Sequence, residues 1–455
     1  LKPFSSTTEI MSKKGTYNAN FFGQFQARLH GTAIQFGYLI GTEAVDGQRH
    51  VVYAAATPEL PSGDEEKQTQ PDIATCLKDP SALASFVPWA QQHAKQIKPL
   101  LPGGLEPCGC FIVAPETTAK NLAAQLVPVL EGIQDPLVLV LEPMGGKLSF
   151  HLHSGGGKPS LKPAQMKADS QKDAVLFYTH TLVDVMLPHE ALADEDKADS
   201  SRSSRDKELV QSVAKAVKGG LSSALAAVQV ESEACRAVDA TSEITIGAAV
   251  PKDCAEVEVQ FLRNGSELIV LPNPEQKPMI RHRCFIVASC LFLRRDIELR
   301  HAVAQVRTAV VDSARQRMTI GLEEETDDSA LLDGPLQLPW KALCKPRDCE
   351  LPIWFSEYCF PDETLEAAKE RMGCLLGVPQ AALVEAPSYL DEHEILKANF
   401  PGTYEACKEE PGGQQRGETG TKKAAAAAGS MSMVALPCAA AVVVLALSLV
   451  LPLAL

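Results

Sequence analysis

The residues of this sequence that could do chemistry begin with two histidines, His151 and His153, which alternate on a segment with strand-like patterning. Two imidazoles at positions i and i+2 can bind one Zn²⁺ when they lie at the end of a strand. A metalloisopeptidase site of this kind would also need an aspartate ligand further along, at the position that Ala164 occupies. The sequence therefore favours a surface strand with alternating histidines, and zinc binding is the alternative.

The thirteen cysteines offer thiols, but their spacing is not that of a zinc site. The C-x-C run Cys108–Cys110 lacks a second pair, and Cys344 and Cys349 stand apart from it. A cysteine at a strand position is commonly a small buried hydrophobe. Cys359 with His393 could supply the nucleophile and base of a hydrolase, although neither lies in a local motif. The sequence thus predicts no metal site and no catalytic residue, with a zinc or cysteine hydrolase as the alternative.

Charge and composition narrow the classes of partner. The net charge of −14 and the pI of about 5.3 argue against nucleic acid as the main partner and against attraction to anionic lipid. The Gly-rich run at 155–158 does not match G-x-x-x-x-G-K-[ST], so it predicts a turn rather than a phosphate cradle. We therefore expect no cofactor.

One basic stretch stands out in this acidic chain. It contains Arg294, Arg295, Arg300 and Arg307, which begin and line a predicted helix. A solvated helix face explains such a pattern, and docking onto an acidic partner is the functional alternative. The Pro102–Leu105 loop, with Gly103 and Gly104, is the second candidate for partner docking.

The last 23 residues, 433–455, contain no charged side chain. As a helix at about 1.5 Å per residue they would cross a hydrocarbon core of about 30 Å. The sequence therefore predicts a transmembrane tail anchor. Its most apolar positions are Met433, Val434, Leu436, Val442, Val443, Val444, Leu445, Leu447, Leu449, Val450 and Leu451.

Two other interpretations of this tail remain. A buried core helix would normally show a polar face, and this run contains only Ser448. A signal for a GPI anchor would need export, and residues 1–20 contain no apolar h-region. The tail-anchor interpretation places Lys422 and Lys423 on the cytosolic side, as the positive-inside rule prefers.

Hydrophobic periodicity and turn signals predict a mixed α/β protein with alternating helices and strands. Strand pairs around polar turns are expected at 33–40 with 51–56, at 137–141 with 147–152, and at 256–262 with 267–271, the last around Asn264-Gly265. Helices are expected at 21–29, 81–100, 117–131, 209–230, 295–317 and 362–376, with strands at 108–113, 174–185, 283–292, 337–343 and 351–359 and a loop at 155–173.

Composition shifts divide the chain into six segments. The charged and serine-rich stretch around 190–207 is typical of an exposed linker, and the run of Gly, Gln and Ala before the tail is typical of a tether. The predicted segments are a disordered N-terminus at 1–20, an α/β domain at 21–188, a linker at 189–208, a second α/β domain at 209–399, a flexible tether at 400–432 and the anchor at 433–455.

Short blocks in the right order resemble the odorant-response abnormal protein four family. The N-terminal blocks centre on a Leu-Pro-Gly-Gly element, and a middle block and a C-terminal block follow it. The blocks are Phe36–Gly41, His93-Ala94, Leu100–Leu105, Gly109–Ile112, Arg283–Ile286, Ala302–Val311, Leu338-Pro339, Tyr358–Phe360 and Asp362-Glu363. The chain departs from the family in a Pro-rich insert near Pro58–Pro71 and in its short end after the tail.

The resemblance implies a non-catalytic adaptor anchored in the endoplasmic reticulum membrane by a single pass, with most of the chain cytosolic. The family helps chemosensory G-protein-coupled receptors reach the cell surface and recruits the protease that removes the ubiquitin-fold modifier. It also implies that the N-terminal domain resembles an MPN-type domain without metal ligands. Ala114, Pro115 and Glu116 stand where an active domain would have its histidines.

The tail-anchor prediction can be tested by extraction. The full chain should stay in the membrane pellet after alkaline carbonate washing, and a chain ending at Lys423 should move to the supernatant, because it lacks every residue of the predicted anchor. A truncated chain that stayed membrane-integral would contradict the prediction.

Overall fold

The computed structural model describes residues 14–29, 36–43, 48–58, 80–142, 148–154, 159–188, 202–230, 236–238, 243–263, 266–267, 279–324, 338–360 and 363–399. The chain divides into two units, 1–407 and 408–455, and all described residues belong to the first. They form a mixed α/β fold, as the sequence predicts.

The first sheet in the described part of the chain has eight strands in the order β7-β6-β5-β4-β2-β3-β1-β8. Helices α1 (Ala19–Leu29), α2 (Pro80–Leu100), α3 (Glu116–Asn121) and α4 (Leu126–Val129) accompany it. Apolar and β-branched runs such as Leu137–Leu141 are buried along their whole length, so helices and loops cover both faces of the central strands. The strands are β1 Lys14–Asn18, β2 Phe36–Glu43, β3 Arg49–Ala56, β4 Glu106–Val113, β5 Leu137–Leu141, β6 Leu148–Ser154, β7 Ser160–Pro163 and β8 Gln165–Asp169.

The second sheet follows the order β11-β10-β12-β9-β14, with β13 paired to β12. Its two long strands, β9 and β14, pair antiparallel over fourteen residues. Alternate residues of β9 and β12, such as Phe177 and Val257, join a separate apolar core with helices α5 and α7. The strands are β9 Val175–Pro188, β10 Leu225–Gln229, β11 Arg236–Val238, β12 Glu256–Arg263, β13 Ser266–Glu267 and β14 Met279–Phe292, and the helices are α5 Arg202–Ser223, α6 Ile246–Ala249 and α7 Leu299–Glu324.

A third, three-stranded sheet has the order β16-β15-β17. Helix α8 (Leu365–Leu376) begins where the Thr364 side chain accepts a hydrogen bond from the Ala367 amide, and it ends at Gly377, whose φ of 67° suits glycine. A 3-10 turn, Ser388–Leu390, and helix α9 (Glu392–Asn399) follow. The strands are β15 Trp340–Pro346, β16 Phe355–Cys359 and β17 Leu383–Glu385.

The three predicted strand pairs are confirmed. Strands β2 and β3, β5 and β6, and β12 and β13 each pair antiparallel. The helices expected at 21–29, 81–100, 295–317 and 362–376 are also present, with their ends displaced by a few residues. Local signals therefore located most elements correctly.

Three expectations about elements are wrong. The segment 155–173 contains β7 and β8, because pairing with β6 and with the distant β1 makes strands of polar sequence. The helix expected at 117–131 is two short helices, and the one expected at 209–230 ends at Ser223 and continues as strand β10. Strands β8 and β10 each pair with a strand that is remote in sequence, β1 and β12 respectively.

The predicted domain boundaries remain a prediction, but three elements, β1, α5 and β9, do not follow them. Strand β1 lies inside the segment expected to be disordered, and α5 begins at Arg202, inside the predicted linker. Strand β9, from the predicted first domain, pairs with β12 and β14 of the predicted second domain. Residues 400–432 and 433–455 lie outside the described residues. In the described part of the chain, no helix combines the length and the hydrophobicity needed to span a bilayer.

One buried ion pair connects four elements of the C-terminal half. The Arg317 guanidinium on α7 donates to the Glu392 carboxylate at the start of α9, and both side chains are at most 1% exposed. The same carboxylate accepts from the backbone amides of Val287 on β14 at 2.7 Å and Lys341 on β15 at 2.6 Å. Arg317 also donates to the Pro339 carbonyl at 2.8 Å. A buried charge this fully hydrogen-bonded fixes the relative positions of α7, α9, β14 and β15.

Replacing Arg317 by methionine should lower the free energy of unfolding by about 3–5 kcal/mol, because Glu392 would be left as an uncompensated buried charge. The matched control is Arg315→Met, which removes an exposed arginine of the same helix from its pair with Asp312 and should cost at most about 1 kcal/mol. Urea unfolding midpoints measure both. Equal losses in the two variants would contradict this role of the buried pair.

Candidate functional site

A polar face of the second sheet supplies the base of a cavity. Strand register places Glu258 on β12 directly between Tyr178 on β9 and Gln229 on β10. Side chains two residues apart on a strand share a face, so Glu256 lies on the same side as Glu258. The opposite face of these strands packs in the apolar core under α5 and α7.

The 3-10 turn Ser388–Leu390 brings a second tyrosine over this face. The Tyr389 hydroxyl donates to the Glu256 carboxylate, and its backbone carbonyl accepts from the His180 ring. The rings of Tyr389 and Tyr178 lie 5.8 Å apart. Glu256 also accepts from the Trp354 indole at 3.4 Å. Contacts from β9 and β12 therefore hold the Tyr389 ring beside the carboxylates.

Arg295 shapes the rim of the cavity. Its guanidinium donates to four backbone carbonyls of the loop before β12, at distances of 2.7–3.1 Å. This loop contains Asp253 and Cys254, which line the cavity. The four carbonyls are those of Val250, Pro251, Lys252 and Cys254. Arg295, a predicted docking residue, thus holds a loop in place through backbone contacts.

The resulting cavity has a volume of about 430 Å³. Two tyrosines and three acidic residues dominate its lining. Burial and the nearby Glu258 and Glu256 carboxylates raise the pKa of Tyr178 to about 12. Burial and the hydrogen bond to Glu256 raise the pKa of Tyr389 as well. Both phenols therefore stay neutral at physiological pH. The lining residues are Tyr178, Gln229, Asp253, Cys254, Ala255, Glu256, Glu258 and Tyr389.

The other predicted arginines also contact the protein itself. Arg294 pairs with Asp296, and Arg300 pairs with Glu298. Arg307 donates to the Ala224 carbonyl at 3.1 Å, and its guanidinium lies over the Phe261 ring. The four arginines do not converge on one ligand position, and their role in docking remains a prediction.

The loop with Pro102, Gly103 and Gly104 packs against the second sheet. The Gly103 amide donates to the Ser289 carbonyl at 2.7 Å, and the Gly103 carbonyl accepts from the Leu291 amide at 2.9 Å. A Cβ at Gly103 would lie 2.4 Å from the Cys290 sulfur, so any other residue would force the sulfur or the loop to move. Gly104 has a φ of +85°, which also favours glycine. The Leu-Pro-Gly-Gly loop, which lies between α2 and β4, thus packs against β14 of the second sheet.

The two histidines with the zinc-like spacing lie on β6 with buried side chains. The His153 ring donates to the Ala123 carbonyl at 2.7 Å. The His151 ring lies 3.9 Å from the Glu116 carboxylate, and burial lowers its pKa. The prediction of a surface strand is wrong for these side chains. They pack between the sheet and the α3–α4 segment.

The predicted cysteine candidates are buried. The Cys359 sulfur lies 3.7–3.8 Å from the backbone carbonyl oxygens of Phe360, Glu363 and Thr364, any one of which can accept its single weak S–H hydrogen bond. The His393 ring stacks on Trp340 with centroids 5.0 Å apart. Burial raises the pKa of Cys110. Within the described ranges, no three His, Cys, Asp or Glu side chains are grouped so that they could hold a metal ion.

Sequence reasoning missed the cavity residues. The alternation Glu256-Val257-Glu258-Val259 was a visible signal of one polar and one apolar strand face. Nothing local connects those glutamates to Tyr178 or to Tyr389, which is 133 residues away from its partner Glu256. The register of β9 with β12 brings Tyr178 beside the glutamates, and the turn Ser388–Leu390 adds Tyr389.

Comparison with known families bears directly on the predicted resemblance. Residues 37–228 match the family described as odorant response abnormal 4-like, or ODR4-like. The predicted resemblance to this family is confirmed over these residues. The ODR4-like match contains the Leu-Pro-Gly-Gly loop, the His151 and His153 strand and β9, and it ends within β10.

Other comparisons add little about activity. No curated protein matches the chain. Among solved structures, the crystal structure of UfSP from C. elegans matches with 10% sequence identity and a TM-score of 0.41. The match covers 81% of this chain and 57% of that one, so the chain corresponds to little more than half of that protein's length. A likeness this low does not indicate a function.

The packing at Gly103 can be tested by substitution. Gly103→Ala should lower the free energy of unfolding by about 1–3 kcal/mol, because the new Cβ would force Cys290 or the loop to move. The control Gly219→Ala adds a Cβ in open space on α5 and should be neutral or stabilising by up to about 1 kcal/mol. Thermal unfolding measures both, and a neutral Gly103→Ala would show that the loop is not held against β14.

Proposed function

We propose that this protein is a non-catalytic, membrane-anchored adaptor. In this proposal it recruits the ubiquitin-fold-modifier protease to the endoplasmic reticulum and supports transport of chemosensory G-protein-coupled receptors to the cell surface. The observation that carries the proposal is the ODR4-like match over residues 37–228. The proposed N-terminal domain resembles an MPN-type domain without metal ligands.

The surroundings of the reactive side chains support a role in binding rather than catalysis. His153 donates its Nε2 hydrogen to a backbone carbonyl, so that nitrogen is not available to a metal ion. The Cys359 thiol is buried and lies against three backbone carbonyls, away from solvent. These groups stabilise the fold in the positions that they occupy.

The proposed anchor at 433–455 lets the body act at a membrane surface. Without chemistry of its own, an adaptor contributes by raising the local concentration of its partners. Attachment to the membrane would confine a bound protease and a bound receptor to the same surface. The proposed position of the body is cytosolic, with the anchor crossing the membrane once.

The experiment is direct binding with and without the tail. The purified full chain should bind a ubiquitin-fold-modifier protease and carry it to liposomes. A chain ending at Lys423 should bind the same protease in solution without carrying it to liposomes. Binding by neither chain to the protease or to a chemosensory receptor would contradict the proposed function. Peptide or isopeptide hydrolysis by the purified chain would contradict its non-catalytic part.

A further inference from the structure

The cavity on the second sheet has the chemistry of a site for an organic cation. Its lining combines the carboxylates of Asp253, Glu256 and Glu258 with the rings of Tyr178 and Tyr389. Tyrosine rings attract cations through their negatively charged faces, and a guanidinium group can also form paired hydrogen bonds with a carboxylate. Neither the carboxylates nor the tyrosine ring faces attract an anion in a comparable way.

The cavity is open to solvent at an aromatic edge. Tyr389 is 43% exposed and is one of four exposed large hydrophobic side chains in the described part of the chain. Tyrosine is among the residues enriched at the energetic centres of protein interfaces. The ring is fixed by its hydroxyl bond to Glu256 and by the His180 contact to its carbonyl.

The carboxylates differ in their role. Glu256 accepts hydrogen bonds from Tyr389 and Trp354, so it builds the wall of the cavity. Glu258 lies in the base, 3.5 Å from the His180 ring, and it is half-buried. Asp253 is exposed at the rim. Glu258 and Asp253 therefore are the carboxylates placed to meet an incoming positive charge.

We propose that this cavity binds a basic side chain, arginine or lysine, from an exposed segment of a protein partner. The volume of about 430 Å³ accommodates a long side chain with its adjoining backbone rather than a large ligand. The pair of tyrosine rings contacts the alkyl stem and the charged head, and Glu258 and Asp253 accept its hydrogen bonds. This inference rests on the proposed adaptor function and names the chemistry of one partner contact.

The test measures the NMR signals of the tyrosine rings in the full chain, inserted in nanodiscs. The chain has seven tyrosines, so ¹³C-tyrosine labelling gives a small set of ring resonances. The peptide acetyl-Gly-Arg-Gly-amide should shift those of Tyr178 and Tyr389. The same peptide with citrulline in place of arginine, which is neutral and nearly equal in shape, should leave these resonances unshifted. Equal shifts with citrulline, or no shift with arginine, would overturn the proposal.

Matched variants locate the charge contact. Glu258→Gln should weaken arginine-peptide binding about tenfold, since it removes one charge-assisted interaction. Asp253→Asn, at the exposed rim, should weaken arginine-peptide binding less. It replaces Glu258→Gln in the test if that variant does not fold. Glu370→Gln removes one exposed acid from α8 and should change binding by less than about twofold. Equal weakening by all three would overturn the proposal in favour of non-specific charge attraction.

A competing cation and the adaptor assay complete the design. If Mg²⁺ at equal concentration reproduced the tyrosine shifts and displaced the peptide, the cavity would be a metal site and the proposal would be wrong. Protease binding by the full chain without any arginine-peptide shift would contradict this inference and leave the adaptor function standing. Peptide binding without any protease or receptor binding would contradict the adaptor function instead.

Discussion

A single buried carboxylate determines much of the C-terminal architecture. Glu392 is fully buried, and the Arg317 guanidinium and the amides of Val287 and Lys341 all donate to it. An unpaired charge in this position would be very unfavourable, so the elements that carry the donors must remain together. Such a pair adds little net stability compared with an apolar core, but it permits only one arrangement of its partners. The proposed cation site depends on this arrangement, because the turn with Tyr389 directly precedes α9.

The two halves of the described chain are joined by backbone contacts as well. Strand β9 pairs with β14 along its whole length, and the Gly103 loop adds to the edge of β14 beside Cys290. The Leu-Pro-Gly-Gly loop, which the sequence suggested for partner docking, thus packs within the protein. Arg295 gives a second example, since its charge holds a loop at the cavity rim through four carbonyls. A charged residue on a helix-like pattern does not by itself indicate a ligand.

Local chemistry made part of this fold predictable from the sequence. The Asn264-Gly265 turn and the apolar run Leu137–Leu141 located strand pairs correctly, because turn geometry and periodicity act over a few residues. The pairing of polar β8 with β1 and the meeting of Tyr389 with Glu256 were not predictable. Both depend on contacts between segments more than a hundred residues apart, which leave no signal in one sequence. The burial of His153 was not predictable either, because it depends on the packing of β6 against the segment that contains Ala123.

The central claim is that Glu392 holds β14 and β15 together through its two backbone acceptor contacts. Native-state hydrogen exchange of the Val287 and Lys341 amides, read residue by residue by NMR, tests it most directly. The account predicts that both amides exchange only through global unfolding, with the same free energy, and that Glu392→Ala lowers the protection of both. Fast exchange of either amide in the intact protein, or unchanged protection in the variant, would contradict it.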